Sequence, residues 1–147
     1  MLYSGIKPGA VPAGLTVKKV VLVGDVMSLK IMIVDDTLFM RHLLRGICEE
    51  EGWTVVGEAV NGVEAVQKYQ ECLPDVTTMD IVMPLKSGIE ALSEIVAFDR
   101  KAKVLMCTAL GQESLVEEAR KAGARGYILK PFDPQRVKEV IRKVAEM

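Results

Sequence analysis

The sequence predicts an α/β domain: a doubly wound, five-stranded parallel sheet with five helices. Three observations predict it. Five short apolar runs rich in Val and Ile, at 29–34, 53–59, 76–79, 103–107 and 126–129, are too short for helices and read as buried strands. Segments of helical period separate them, so strand and helix alternate five times, with starts roughly 25 residues apart, close to the size of a strand–helix–strand unit. Four of the five runs close on polar residues able to do chemistry: Asp35-Asp36, Asp80, Thr108 and Lys130.

Taken in order, residues 1–27 form a leader, with a Gly/Pro-rich tail to about Gly14 and a strand-like piece at 16–23. It is read as a flexible appendage or an extra edge strand, with the domain proper at 28–147. Pro8, Gly9, Pro12 and Gly14 interrupt its front, and the apolar run 20–23 is too short for a signal core or a membrane span, so neither export nor membrane insertion is expected. A cytoplasmic protein is expected.

After the first run, Phe39, Leu43, Leu44 and Ile47 recur at helical spacing, Asp36 stands where free backbone amides need a cap, and Gly52 stands where the helix should stop. The second helix carries Val63, Val66 and Tyr69, begins at Asn61 and ends before Pro74, which cannot continue the turn. A third begins at Ser87 with Ile89, Leu92, Ile95 and Val96, and a fourth carries Leu115, Val116 and Ala119 before Gly123. Val137, Val140, Ile141 and Val144 form the last.

The totals exclude several function classes. Nineteen basic against twenty acidic side chains leave no electrostatic bias toward nucleic acid. Cys48, Cys72 and Cys107 are odd in number, far apart and never paired as CxxC, which indicates neither a disulfide framework nor a zinc site. A single histidine, His42, lies in a helical pattern and reads as an exposed helix residue.

Strands joined by helical crossovers run parallel, so their C-terminal ends share one rim, where open α/β sheets bind ligands. Singly, Asp36 reads as a helix cap, Thr108 as a turn hydroxyl and Lys130 as a loop lysine; jointly, five polar groups on one rim point to a site. Three carboxylates gathered there repel one another unless one takes a proton or a cation sits among them. Oxygen donors without His or Cys suit a hard ion, Mg²⁺ first, with Mn²⁺ as a substitute. With its charge offset by Lys130 and such an ion, Asp80 can attack a phosphoryl group and form an acyl phosphate.

Ile33-Val34-Asp35-Asp36, Met79-Asp80-Ile81-Val82-Met83-Pro84, Thr108-Ala109 and Lys130-Pro131-Phe132, in this order and on these runs, resemble the receiver domain of two-component response regulators over about 28–147. The resemblance implies a flavodoxin-like strand order of 2-1-3-4-5. It makes Asp80 the phosphoacceptor, Asp36 a Mg²⁺ ligand, Asp35 a ligand acting largely through water, and Val82 a donor through its backbone carbonyl. Lys130 would pair with Asp80 and the phosphoryl group, across a cis bond to Pro131. Thr108 would move toward the phosphoryl oxygen and Tyr127 would follow inward, remodelling the face of the fourth helix, fifth strand and fifth helix.

The residues two past Asp80 and two past Thr108, often polar in that family, are here Val82 and Leu110. Neither can orient a hydrolytic water through its side chain, so slow self-dephosphorylation and a separate phosphatase are expected. The chain ends soon after the fifth helix, so signalling is expected through docking, by a monomer. Thr37-Leu38-Phe39-Met40-Arg41 and Cys107-Thr108-Ala109-Leu110-Gly111-Gln112-Glu113 resemble the single-domain chemotaxis receivers, implying a CheA-like histidine kinase and a FliM-like flagellar switch protein as partners. A stand-alone relay receiver is the alternative. A haloacid-dehalogenase phosphatase would need D-x-D after the first strand, and a flavodoxin-type FMN carrier a Ser/Thr/Gly-rich loop there; Asp36-Thr37-Leu38-Phe39 supplies neither.

Overall fold

A computed structural model describes residues 28–147. The leader and the expectations placed on it lie outside the described residues. Strands β1 (Lys30–Val34), β2 (Thr54–Ala59), β3 (Val76–Asp80), β4 (Val104–Thr108) and β5 (Gly126–Leu129) alternate with helices α1 (Leu38–Glu50), α2 (Gly62–Cys72), α3 (Gly88–Phe98), α4 (Glu113–Lys121) and α5 (Pro134–Ala145). All four strand pairings are parallel, in the order β2-β1-β3-β4-β5. The expected alternation and strand order both hold.

Period-two alternation along the strands sorts the core into two layers. Met32, Val34, Met79, Val104 and Met106 face one side and pack with Ala65 and Tyr69 of α2, Ala91, Leu92 and Ile95 of α3 and Ala119 of α4. Ile31, Ile33, Val76, Leu105, Cys107 and Ile128 face the other and pack with α1 and α5 through Leu44, Ile47, Val137 and Ile141. Ile31, Ile33, Leu92, Leu105 and Ile141 are fully buried, and each such side chain contributes about 1.5–3 kcal/mol of burial. The central strand β3 also buries Thr77 and Thr78 completely.

Several element ends match their chemistry. Asn61 accepts from Glu64 N–H, and Ser87 and Glu90 form a reciprocal capping box. Gly52 and Gly123 take the left-handed conformation, with φ of +78° and +113°. Pro74 does follow the end of α2, but Leu73 before it absorbs the left-handed turn at φ +45°.

Two readings need correction. The residue at the N-cap of α1 is Thr37, not Asp36. The cause is Asp35, whose Oδ1 accepts both Thr37 N–H and Thr37 Oγ1 at 2.9 Å, a local turn that delays the helix by a residue. Phe39 and Val63, counted on the apolar faces of α1 and α2, are instead exposed at 72 % and 48 %. Each lies in the first turn of its helix, at the rim, before the helix turns its apolar face onto the sheet. His42 is exposed, as expected. No helix among the described residues is long and apolar enough to cross a membrane.

Candidate functional site

From β1 the chain crosses to β2 on one side and returns to β3 on the other, so the C-terminal ends of β1 and β3 flank the point where strand order reverses. Asp35 and Asp36 follow β1, and Asp80 ends β3. Oxygens of these three acids lie within 4.8 Å of one another.

Asp35 is buried, 1 % exposed, and held from every side. Its Oδ1 accepts from Thr37, its Oδ2 accepts from Lys130 Nζ at 3.0 Å, its N–H donates to Ala59 O at 3.1 Å, and its carbonyl accepts from Arg41 Nη1 at 2.8 Å. Asp36 is exposed. Asp80 lies between these extremes and meets Lys130 Nζ at 3.3 Å. Burial, reinforced by Asp35 and Asp36 and opposed by Lys130, pushes its carboxyl up to about 6.

The loop after β3 is shaped to hold Asp80. β3 ends at Asp80, four residues before Pro84, so the proline is not what stops the strand; beyond it Leu85 takes a left-handed φ of +68°, and Gly88 N–H donates to Ile81 O at 2.8 Å. A Cβ on Gly88 would lie 1.9 Å from the Asp80 carbonyl oxygen, so only glycine fits this approach. Val82 stands on this loop with its side chain 58 % exposed.

Lys130 follows β5, its peptide to Pro131 is cis, and its N–H donates to Thr108 O at 2.7 Å. Burial works against its charge, but the Asp35 hydrogen bond and the attraction of Asp80 and Asp35 outweigh it and raise its pKa. Thr108, 3 % exposed, ends the neighbouring strand. Cys107 beside it is buried, and burial pushes its thiol well up, which removes it as a nucleophile. Tyr127 is 56 % exposed and lines a surface cleft of about 330 Å³ against α4, with Val116 and Arg120.

The three acids and Lys130 therefore converge, Thr108 adjoins them through the bond from Lys130 N–H to its carbonyl, and Tyr127 stands exposed beside α4. Lys130 is nearer Asp35 than Asp80, whereas the resemblance implied a pairing with Asp80 and the phosphoryl group and named no contact with Asp35. Sequence reasoning also missed Thr37, Arg41, Gly88 and Gln112. Only Thr37 had a local signal, an Asp two residues earlier able to accept its amide.

Chemically, Asp35 and Asp80 share one ammonium and Asp36 stands beside them, leaving surplus negative charge in oxygen donors alone. That donor set fits a hard divalent ion completed by water.

Residues 31–142 match the model of the response regulator receiver domain. Chemotaxis protein CheY of Thermotoga maritima is 50 % identical over 120 residues, covering 82 % of this chain and all of that protein. Chemotaxis protein CheY of Bacillus subtilis is 50 % identical over 117 residues, covering 80 % of this chain and 98 % of that one. In the crystal structure of the CheX–CheY–BeF3–Mg²⁺ complex from Borrelia burgdorferi, one chain is similar to this fold with a TM-score of 0.76 and 39 % identity, covering 79 % of this chain and 88 % of that one. The family match runs from β1 into α5 and the relatives match along nearly their whole length, so the chain belongs to the receiver domains of response regulators.

Proposed function

We propose that this receiver is a phosphorylation-activated switch of chemotactic signalling, in which Asp80 accepts the phosphoryl group. The observation that supports it most is the shared Lys130, which meets Asp35 and Asp80 at the point of strand reversal beside an acid cluster. An Asp80 carboxylate oxygen forms a bond to phosphorus while the phosphorus–nitrogen bond of a phosphohistidine donor breaks, and the imidazole leaves with a proton. Lys130 offsets negative charge on Asp80 and on the transferring group. Asp36, Asp80, Asp35 and the Val82 carbonyl would hold Mg²⁺, or Mn²⁺ in its place, which when bound supplies charge neutralisation at the phosphoryl oxygens. Thr108 then donates its hydroxyl to a phosphoryl oxygen, and Tyr127 turns inward from its exposed position.

The likeness to CheY proteins supports a CheA-like histidine kinase as donor and a FliM-like switch protein as target, acting on a cytoplasmic monomer whose working unit is 28–147. Val82 and Leu110, 58 % and 81 % exposed at the site's mouth, offer a hydrolytic water no polar side chain. A separate phosphatase completes the cycle, in line with the CheX partner of the similar Borrelia protein.

Incubation with acetyl phosphate and followed by intact mass tests this reading. One Mg²⁺-dependent phosphoryl adduct is expected on the wild type and none on Asp80→Asn, with a decay half-life of many minutes after the donor is removed. An adduct that forms equally in chelator would overturn the metal-assisted reading, and decay within seconds would overturn the role given to Val82 and Leu110.

A further inference from the structure

The hydroxyl of Thr108 is already engaged. It donates to Gln112 Oε1 at 3.0 Å, with a longer approach of 3.4 Å to the Ala109 carbonyl. Thr108 is buried, so water does not readily replace a lost acceptor there. Gln112 occupies the N-cap position of α4, yet it makes no side-chain cap to that helix. A side-chain oxygen at this position ordinarily satisfies first-turn amides. Here it turns back instead, accepting from Thr108 Oγ1 and from Ala109 N–H at 2.8 Å, and so ties the end of β4 to the start of α4. Of the nine residues of α4, Ala119 alone is fully buried, with Leu115 and Val116 partly buried against the same core layer.

The geometry points to Gln112 as a latch: its amide oxygen holds the Thr108 hydroxyl in the resting protein and competes with the phosphoryl group for it. This rests on the receiver function proposed above and adds a positioning residue that acts through Thr108. A hydroxyl has one proton to donate, so Thr108 cannot serve both acceptors at once. When it moves to a phosphoryl oxygen, Gln112 keeps the exposed Ala109 amide as a donor and loses the strand end. The bond that joins β4 to α4 is broken in the same step that forms the phosphoryl contact, which passes the event from the rim to α4. A hydrogen bond of ordinary strength shifts such an equilibrium by about two- to tenfold.

Gln112→Met keeps the side chain's length and removes its acceptor. Beryllofluoride with Mg²⁺ serves as the phosphoryl stand-in, titrated calorimetrically into wild type, Gln112→Met, Thr108→Val and the double variant. Gln112→Met is expected to bind about two- to tenfold more tightly than wild type, and the gain should vanish in the Thr108→Val background. Urea unfolding of the same four proteins without ligand should show non-additive effects, as for side chains in direct contact. Unchanged or weaker binding by folded Gln112→Met would overturn the latch, as would a gain that persists without the Thr108 hydroxyl. Failure of the receiver reading looks different: wild type itself binds no beryllofluoride, and the latch, having no competitor, falls with it.

Discussion

Asp35 and Asp80 are both acids at strand ends, yet their surroundings divide the labour between them. Asp35 has its carboxylate oxygens committed to Thr37 and Lys130, which makes it a fixed part of the frame. Asp80 is left less well solvated than its charge requires, and burial lifts it to about 6 from an ordinary value of 3.8. The folded protein then binds a proton that the unfolded chain has already released between those two values. Stability therefore falls as pH rises through that window and stays reduced above it, by about 3 kcal/mol for a shift of this size. In chelator at pH 7, Asp80→Asn should accordingly raise the unfolding free energy by about 1–3 kcal/mol, the lower figure allowing for the lost contact with Lys130. Urea unfolding at pH 4.5 and 7 checks the sign: the variant's advantage should be large at pH 7 and small at pH 4.5. A variant less stable than wild type at pH 7 would contradict the view that the site stores an electrostatic cost.

The loop between β3 and α3 shows how elements, and not single residues, place that acid. It is gripped at both ends by helix N-termini: a Cβ on Gly62 of α2 would fall 2.3 Å from Lys86 O, and one on Gly88 of α3 would fall 1.9 Å from Asp80 O. Gly62 N–H also donates to Lys86 O at 3.1 Å, and the Ser87–Glu90 capping box fixes where α3 begins. Gly88→Ala must push the Asp80 carbonyl aside, and it should lower stability by about 2–3 kcal/mol and weaken Mg²⁺ binding. Gly46 of α1, where a Cβ meets nothing within 4 Å, supplies the control. Gly46→Ala should raise stability by about 0.5–1 kcal/mol, because alanine is the better helix former, and leave Mg²⁺ binding unchanged. Thermal unfolding and metal titration of the two variants test the pair. Similar behaviour of both alanines would show that the loop tolerates displacement.

For the molecule as a whole, what could be read from the sequence is what periodicity encodes. Short continuous apolar runs and helical faces delivered five strands, five helices and their C-terminal rim, because each signal is local to its element. The rim acids and Lys130 were legible for the same reason, since each ends a strand or stands within two residues of its end. Contacts made across the fold were not. Arg41 reaches the Asp35 carbonyl only once α1 lies on the sheet, and Gly88 meets Asp80 only once α3 folds back. Gln112 turns away from its own helix, against its positional habit, so no pattern along the chain announces it. Exposed Phe39 and Val63 mislead because a periodic pattern does not say where the sheet beneath a helix ends. Four parts of the fold nonetheless meet at a single carboxylate: Asp80 ends β3, pairs with Cys107 of β4, lies under Gly88 of α3 and faces Lys130 after β5. The central claim, that this carboxylate is the one that carries the phosphoryl group, can be tested at the atom. Borohydride reduction of the phosphorylated protein converts an aspartyl phosphate to homoserine, and peptide mass spectrometry locates it. Homoserine at position 80 alone is the predicted result, and homoserine at position 35 or 36, with Asp80 intact, would contradict it.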